Sequence, residues 1–125
     1  LLAAVAFLPR FVRKLREKPM LAVDTLKQQL DAGENVLMLD VRSAADFVGE
    51  QGHIAAARNI PLDELPGRLA ELQDHKQHPI RLLCRTDRRS AQAARLLAEA
   101  GFVDAQVIRG GMTAWREKGW PVVNQ

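Results

Sequence analysis

Short apolar runs alternate with longer stretches whose apolar residues recur every three or four positions, from Pro19 almost to the end of the chain. The compact apolar run at 36–39 predicts a strand, and the short stretches at 57–60, 80–83 and 105–108 are read as further strands. Leu26 and Leu30 predict a helix between Pro19 and the first strand, with Asp24 and Thr25 offered as its N-cap and Gly33 as its stop. A short helix is expected over 44–48, and Leu62, Leu65, Leu69 and Leu72 predict an amphipathic helix over 62–73. Ala91, Ala94, Leu97 and Ala98 give a helix over 90–100 an apolar face, and Gly101 stops it. Gly110 and Gly111 form a turn before a last short helix at 112–118. Strands alternating with helices predict an α/β domain with a mainly parallel sheet flanked by helices. Such sheets bind ligands beyond the carboxyl ends of their strands. Cys84 stands at one of these ends and Asp40 at another.

With 125 residues, the chain suits a single core, and 47% hydrophobic residues against 26% charged fit a globular domain rather than a disordered one. The net charge of +3 is mild, and there is no tyrosine to interleave with the basic residues, so nucleic-acid binding has no support. A single cysteine excludes an internal disulfide and a multi-cysteine zinc site, and fits a reducing, cytoplasmic setting. No metal site is expected. His75 and His78 lack a further ligand at useful spacing and read as a solvated loop.

Residues 1–18 stand apart from the domain at 19–125. Residues 1–8 are wholly apolar, and Arg10, Arg13, Lys14, Arg16 and Lys18 follow. Eight residues fall short of the about 20 that span a bilayer. The order, apolar and then basic, is the reverse of a secretory signal. It fits the stub of a membrane helix with its cytoplasmic flank, which would tether the domain to the cytoplasmic face. An amphipathic helix packed on the domain, or a tail, are the other readings.

The segment after the third strand carries most of the chemistry. Ile80, Arg81, Leu82 and Leu83 run into Cys84, Arg85, Thr86, Asp87, Arg88, Arg89 and Ser90, and a helix follows. A strand–loop–helix turn aims backbone N–H groups and a positive helix end at whatever occupies the loop. A lone cysteine at a strand end is ordinarily inert packing. The arginines at 85, 88 and 89 argue otherwise, because their mutual repulsion is relieved only by an anion, and such surroundings stabilise a thiolate.

Several motifs together give the chain a family likeness. Leu39-Asp40-Val41-Arg42 matches a strand-end D-V-R element. Gly52-His53-Ile54 with Ala57-Arg58-Asn59-Ile60-Pro61 matches G-H-I-x-x-A-x-N-I-P. The loop from Cys84 to Ser90 lies in the active-site position, and Gly110-Gly111-Met112-Thr113-Ala114-Trp115 with Gly119-Trp120-Pro121-Val122 matches G-G-x-x-x-W…G-x-P-V. In this order they resemble a single-domain member of the rhodanese superfamily, the sulfurtransferases, over nearly all of residues 20–123.

The resemblance implies a three-layer rhodanese-like domain and a catalytic Cys84. The cysteine would take sulfur from thiosulfate or a low-molecular-weight persulfide as a persulfide, and pass it to cyanide, a thiol or a protein cysteine. It implies no cofactor. Arg85, Thr86, Asp87, Arg88, Arg89 and Ser90 would form the substrate-binding loop, with Arg85 and Arg88 contacting the donor anion and Arg89 turning inward or reaching Asp40. Asp40 and Arg42 would brace the active-site face, although a local ion pair explains them equally well. Related phosphatases carry Arg six residues after the cysteine, where this chain has Ser90, and the shorter loop favours sulfur over phosphate. Asp87 replaces a frequent mid-loop glycine and brings a negative charge that opposes a dianion such as thiosulfate. A non-enzymatic persulfide carrier, redox sensor or interaction module on the same fold is the alternative. His53 reads as structural, and Trp115 and Trp120 as packing.

Overall fold

A computed structural model describes residues 18–125. The elements run α1 (Val23–Asp31), β1 (Leu37–Asp40), α2 (Ala44–Phe47), β2 (Arg58–Asn59), a 3-10 helix (Leu65–His75), β3 (Ile80–Leu83), α3 (Arg88–Glu99), β4 (Ala105–Val107) and α4 (Gly111–Glu117). The strands form one parallel sheet in the order β2-β1-β3-β4. Leu21 and Ile108 add a parallel bridge, and His53 pairs with Val123 in an antiparallel one.

Strand alternation sends successive side chains to opposite faces of the sheet. Leu39, Ile80, Leu82 and Cys84 pack with Leu65, Leu72, Ala93 and Leu97, beneath the 3-10 helix and α3. Met38 and Leu83 join Val23, Leu26, Met112 and Trp115, beneath α1 and α4. The result is the expected three-layer α/β arrangement. Cys84 therefore closes one core while its backbone leads into the loop.

Helix α3 starts at Arg88, two residues earlier than expected, and three further boundaries depart from the sequence pattern for physical reasons. Helix α1 starts behind Ala22, not behind Asp24 or Thr25; Asp24 lies in its first turn, where a carboxylate favours the helix dipole, and pairs with Lys118 at 3.1 Å. The helix expected over 62–73 is a 3-10 helix shifted to Leu65–His75. Pro66 supplies no donor and Gly67 has low helix propensity, so the segment tightens while Leu65 and Leu72 stay buried. The first strand includes Asp40, whose buried carboxylate has a partner described below.

One arginine sits in the middle of the sheet. Arg81 is buried, and its Nη1 donates to Asp104 Oδ1 at 3.1 Å and to the carbonyls of Ile80 and Asp104. Burial pushes the Asp104 carboxyl up, but hydrogen bonds from Arg81 and Lys18 outweigh it and hold the group below the usual carboxylate range. Among the described residues no helix is long and apolar enough to cross a membrane. The apolar and basic stretch read as a membrane stub lies, but for Lys18, outside those residues.

Candidate active site

Strand β3 ends at Leu83 and hands the chain to Cys84, which is 2% exposed. The loop that follows is held from one side by α4. Met112 N–H donates to the Cys84 carbonyl at 2.8 Å, and Thr113 N–H to the Arg85 carbonyl at 3.0 Å. Two donors that a helix start leaves orphaned are satisfied in this way. Because peptide units are planar and trans, the amides of Arg85 and Thr86 point away from α4. The backbone N–H groups of Arg85, Thr86, Asp87, Arg88 and Arg89 have no acceptor among the described residues, and that of Ser90 reaches Cys84 Sγ at 3.4 Å. Consecutive free amides at the start of a twelve-residue helix, next to a sulfur, form an anion cradle.

The glycine pair at 110 and 111 makes this approach possible. Gly111 has φ +48°, and a Cβ there would collide with the carbonyls of Cys84 and Thr86. Asp87 fastens the other end: its Oδ1 accepts the Gly110 N–H at 2.6 Å. The carboxylate is thus committed to the α4 turn, and Asp87 is absent from the cleft wall although its neighbours on both sides line it. The charge that stood against a dianionic donor is directed elsewhere.

The cleft has a volume of about 650 Å³. Cys84, Arg85, Thr86, Arg88 and Arg89 line it on the loop side; Arg42, Asp46, Glu50 and Gln51 contribute the rest, with Gly49. No side-chain partner is found for Arg85, Arg88 or Arg89 among the described residues. Arg89 therefore faces the cleft and does not reach Asp40, which is already taken.

Arg42 is the occupant of Asp40. Its Nε lies 3.0 Å from Oδ1 and its Nη2 2.7 Å from Oδ2, with both residues buried. Nη2 also donates to the Gly52 carbonyl at 2.8 Å. Asn59 Nδ2 donates to the carbonyls of Asp40 and Arg42, each at 2.9 Å. This bracket ties β1, β2 and the Gly52 turn together. Gly52 itself has φ +68°, and a Cβ there would meet the Val123 carbonyl at 2.6 Å. His53 is buried nearby; its Nδ1–H donates to the Phe47 carbonyl at 2.6 Å and its ring stacks on Phe47 at 3.5 Å. It is fully engaged in structure, as are Trp115, whose Nε1–H donates to the Pro121 carbonyl, and Trp120 packed edge-on against it.

Sequence reasoning located the loop but missed the opposite wall. Asp46, Glu50 and Gln51 carry no motif, and only the fold brings them to Cys84. Asn59 stood inside a quoted motif without a role. Ser90, placed in the loop, is wholly buried, and its hydroxyl has no hydrogen-bond partner; only its amide meets the sulfur.

Comparison with known proteins agrees with this architecture. Residues 22–118 match the rhodanese-like domain family. A sulfurtransferase of Allochromatium vinosum is 34% identical over 100 residues, covering 80% of this chain and 90% of that protein. A putative sulfur carrier protein of Bacillus subtilis is 33% identical over 100 residues, which span 80% of this chain but 52% of the relative. Among solved structures, a human single-domain sulfurtransferase is similar with a TM-score of 0.69 at 27% identity, covering 81% of this chain and 97% of the other. The chain belongs to the rhodanese-like domain family, and its likeness to these sulfurtransferases supports sulfur transfer as its general activity.

Proposed function

We propose that the protein is a sulfurtransferase that carries sulfane sulfur on Cys84. The Cys84 thiolate attacks the outer sulfur of the donor. A bond forms to Sγ, the donor's S–S bond breaks, and the electron pair leaves with sulfite when the donor is thiosulfate, or with a thiolate when it is a persulfide. The free amides of residues 85–89 donate to the terminal sulfur of the resulting Cys84 persulfide, stabilising its charge as preorganised donors do at other anionic centres. Arg85 and Arg88 hold the donor's anionic group. A thiol or cyanide then attacks that terminal sulfur and restores the thiolate, so the chemistry is covalent catalysis in two halves. Arg42 and Asp40 act as a brace.

The observation that carries this reading is the run of unsatisfied amides and unpaired arginines around one buried cysteine. An inert core thiol needs neither. One relative is named a putative sulfur carrier, and the corresponding second version is one in which the same persulfide is loaded and handed to one protein without turnover. Steady-state kinetics with donor and cyanide varied together separate the two. A transferase gives parallel double-reciprocal lines, the signature of a substituted-enzyme mechanism. Converging lines contradict the covalent intermediate, and a single stoichiometric burst with no turnover indicates the carrier.

A further inference from the structure

The cleft beside Cys84 holds charges of both signs that do not neutralise each other. Arg85 comes from the loop, Arg88 and Arg89 from the first turn of α3, Asp46 from α2, and Glu50 from the turn that follows α2. Among the described residues none of these side chains has an ion-pair partner, so no bond joins the two sides. An unpaired acid on a surface is ordinary by itself. Two acids sharing a cleft with three unpaired arginines and a nucleophile are a recognition pattern, because a ligand that bridges them must carry both charges.

Inorganic donors match this cleft poorly. Thiosulfate and cyanide are small and carry only negative charge, which Asp46 and Glu50 oppose. A volume of about 650 Å³ is that of an organic-ligand site. Resting on the reading that Cys84 accepts sulfur, we propose that the preferred donor is the persulfide of an amino-acid thiol, with its ammonium toward Asp46 and Glu50 and its carboxylate toward Arg85 and Arg88. An α-amino acid bears both groups on one carbon, pointing apart, with the sulfur on the adjoining arm free to meet Cys84. The step balances without an oxidant. The Cys84 thiolate and R–S–SH give Cys84–S–SH and R–S⁻: the new bond forms at Sγ, the donor S–S bond breaks, the proton stays on the transferred sulfur, and the electron pair leaves on R–S⁻. The acidic side chains are then specificity determinants for the same reaction.

The test measures the rate of Cys84 sulfuration by quenched intact mass, with cysteine persulfide and with N-acetylcysteine persulfide, which keeps the carboxylate but loses the ammonium. Both donors are run on the wild type and on the doubly substituted Asp46→Asn, Glu50→Gln protein. Dividing the wild-type rate ratio by the variant ratio cancels the donors' intrinsic reactivities. The expected quotient is up to roughly fivefold, the contribution of an exposed charge pair. A quotient of one, with sulfur uptake intact, overturns this inference and leaves Cys84 as sulfur carrier. Failure of both persulfides and of thiosulfate to load the wild-type protein overturns both.

Discussion

The ends of β1 and β3 lie side by side and each delivers arginine to the same cleft, yet the arginines are used in opposite ways. After β1, Arg42 is buried and its guanidinium is engaged by the Asp40 carboxylate and the Gly52 carbonyl. After β3, Arg85, Arg88 and Arg89 line the cleft with no partner among the described residues. Both segments also contain an aspartate. Asp40 meets the neighbouring arginine side chain, whereas Asp87 meets a backbone amide of the α4 turn. A guanidinium beside its own buried carboxylate is a strut. One whose nearby acid is directed elsewhere is left to receive an anion from outside.

The comparison can be broken most forcefully at the strut. Asp40→Ala leaves a buried guanidinium uncompensated and should lower stability by about 3–5 kcal/mol, measured by urea denaturation. A loss near zero would contradict the account of Arg42. Removal of the loop's fastening comes next. Asp87→Ala should cost about 1–3 kcal/mol, while Asp87→Asn, which keeps an acceptor for Gly110 N–H, should recover most of that. Equal losses in the two variants would mean that the hydrogen bond is not what anchors the loop.

The cleft arginines should behave in the opposite manner. Arg88 opens α3, where a cation opposes the helix dipole. Arg88→Ala should therefore raise stability by about 0.3–1 kcal/mol. The same variant should slow sulfur uptake from an anionic donor roughly tenfold. A variant that loses stability and keeps its uptake rate would assign Arg88 to the fold.

The gentlest contrast is with Arg81, a second buried arginine that pairs with Asp104. The Asp104 carboxyl is held below its unfolded value of about 3.9, so its contribution is fully present above about pH 4 and vanishes as pH falls through the lower folded value. Asp104→Asn should lower stability at neutral pH and flatten the acid limb of an unfolding profile, without touching sulfur uptake. An unchanged acid limb would exclude Asp104 as its source.

How much of this was legible in the sequence followed the range of the interactions. Ile80–Leu83 is buried at every position, and its three apolar residues report the strand, while nothing local in the sequence shows that Arg81 between them is buried with them. The cysteine loop was legible because its arginines are adjacent in the chain. The helical face at 62–73 is legible but its 3-10 pitch is not, since leucines spaced by three and four mark a helical face without fixing its pitch. Asp87 was legible as an oddity but not as a clasp: its partner Gly110 lies 23 residues away. Asp46 and Glu50 gave no signal, because only the parallel pairing of β1 with β3 brings the chain beyond β1 to the same cleft as Cys84.

The central claim is that Cys84 carries the transferred sulfur, and intact mass tests it most directly. Reduced protein incubated with thiosulfate, or with a low-molecular-weight persulfide, should gain the mass of one sulfur atom. The gain should be absent in Cys84→Ser and removed by cyanide. No gain with either donor, or a gain that survives in Cys84→Ser, would contradict the account.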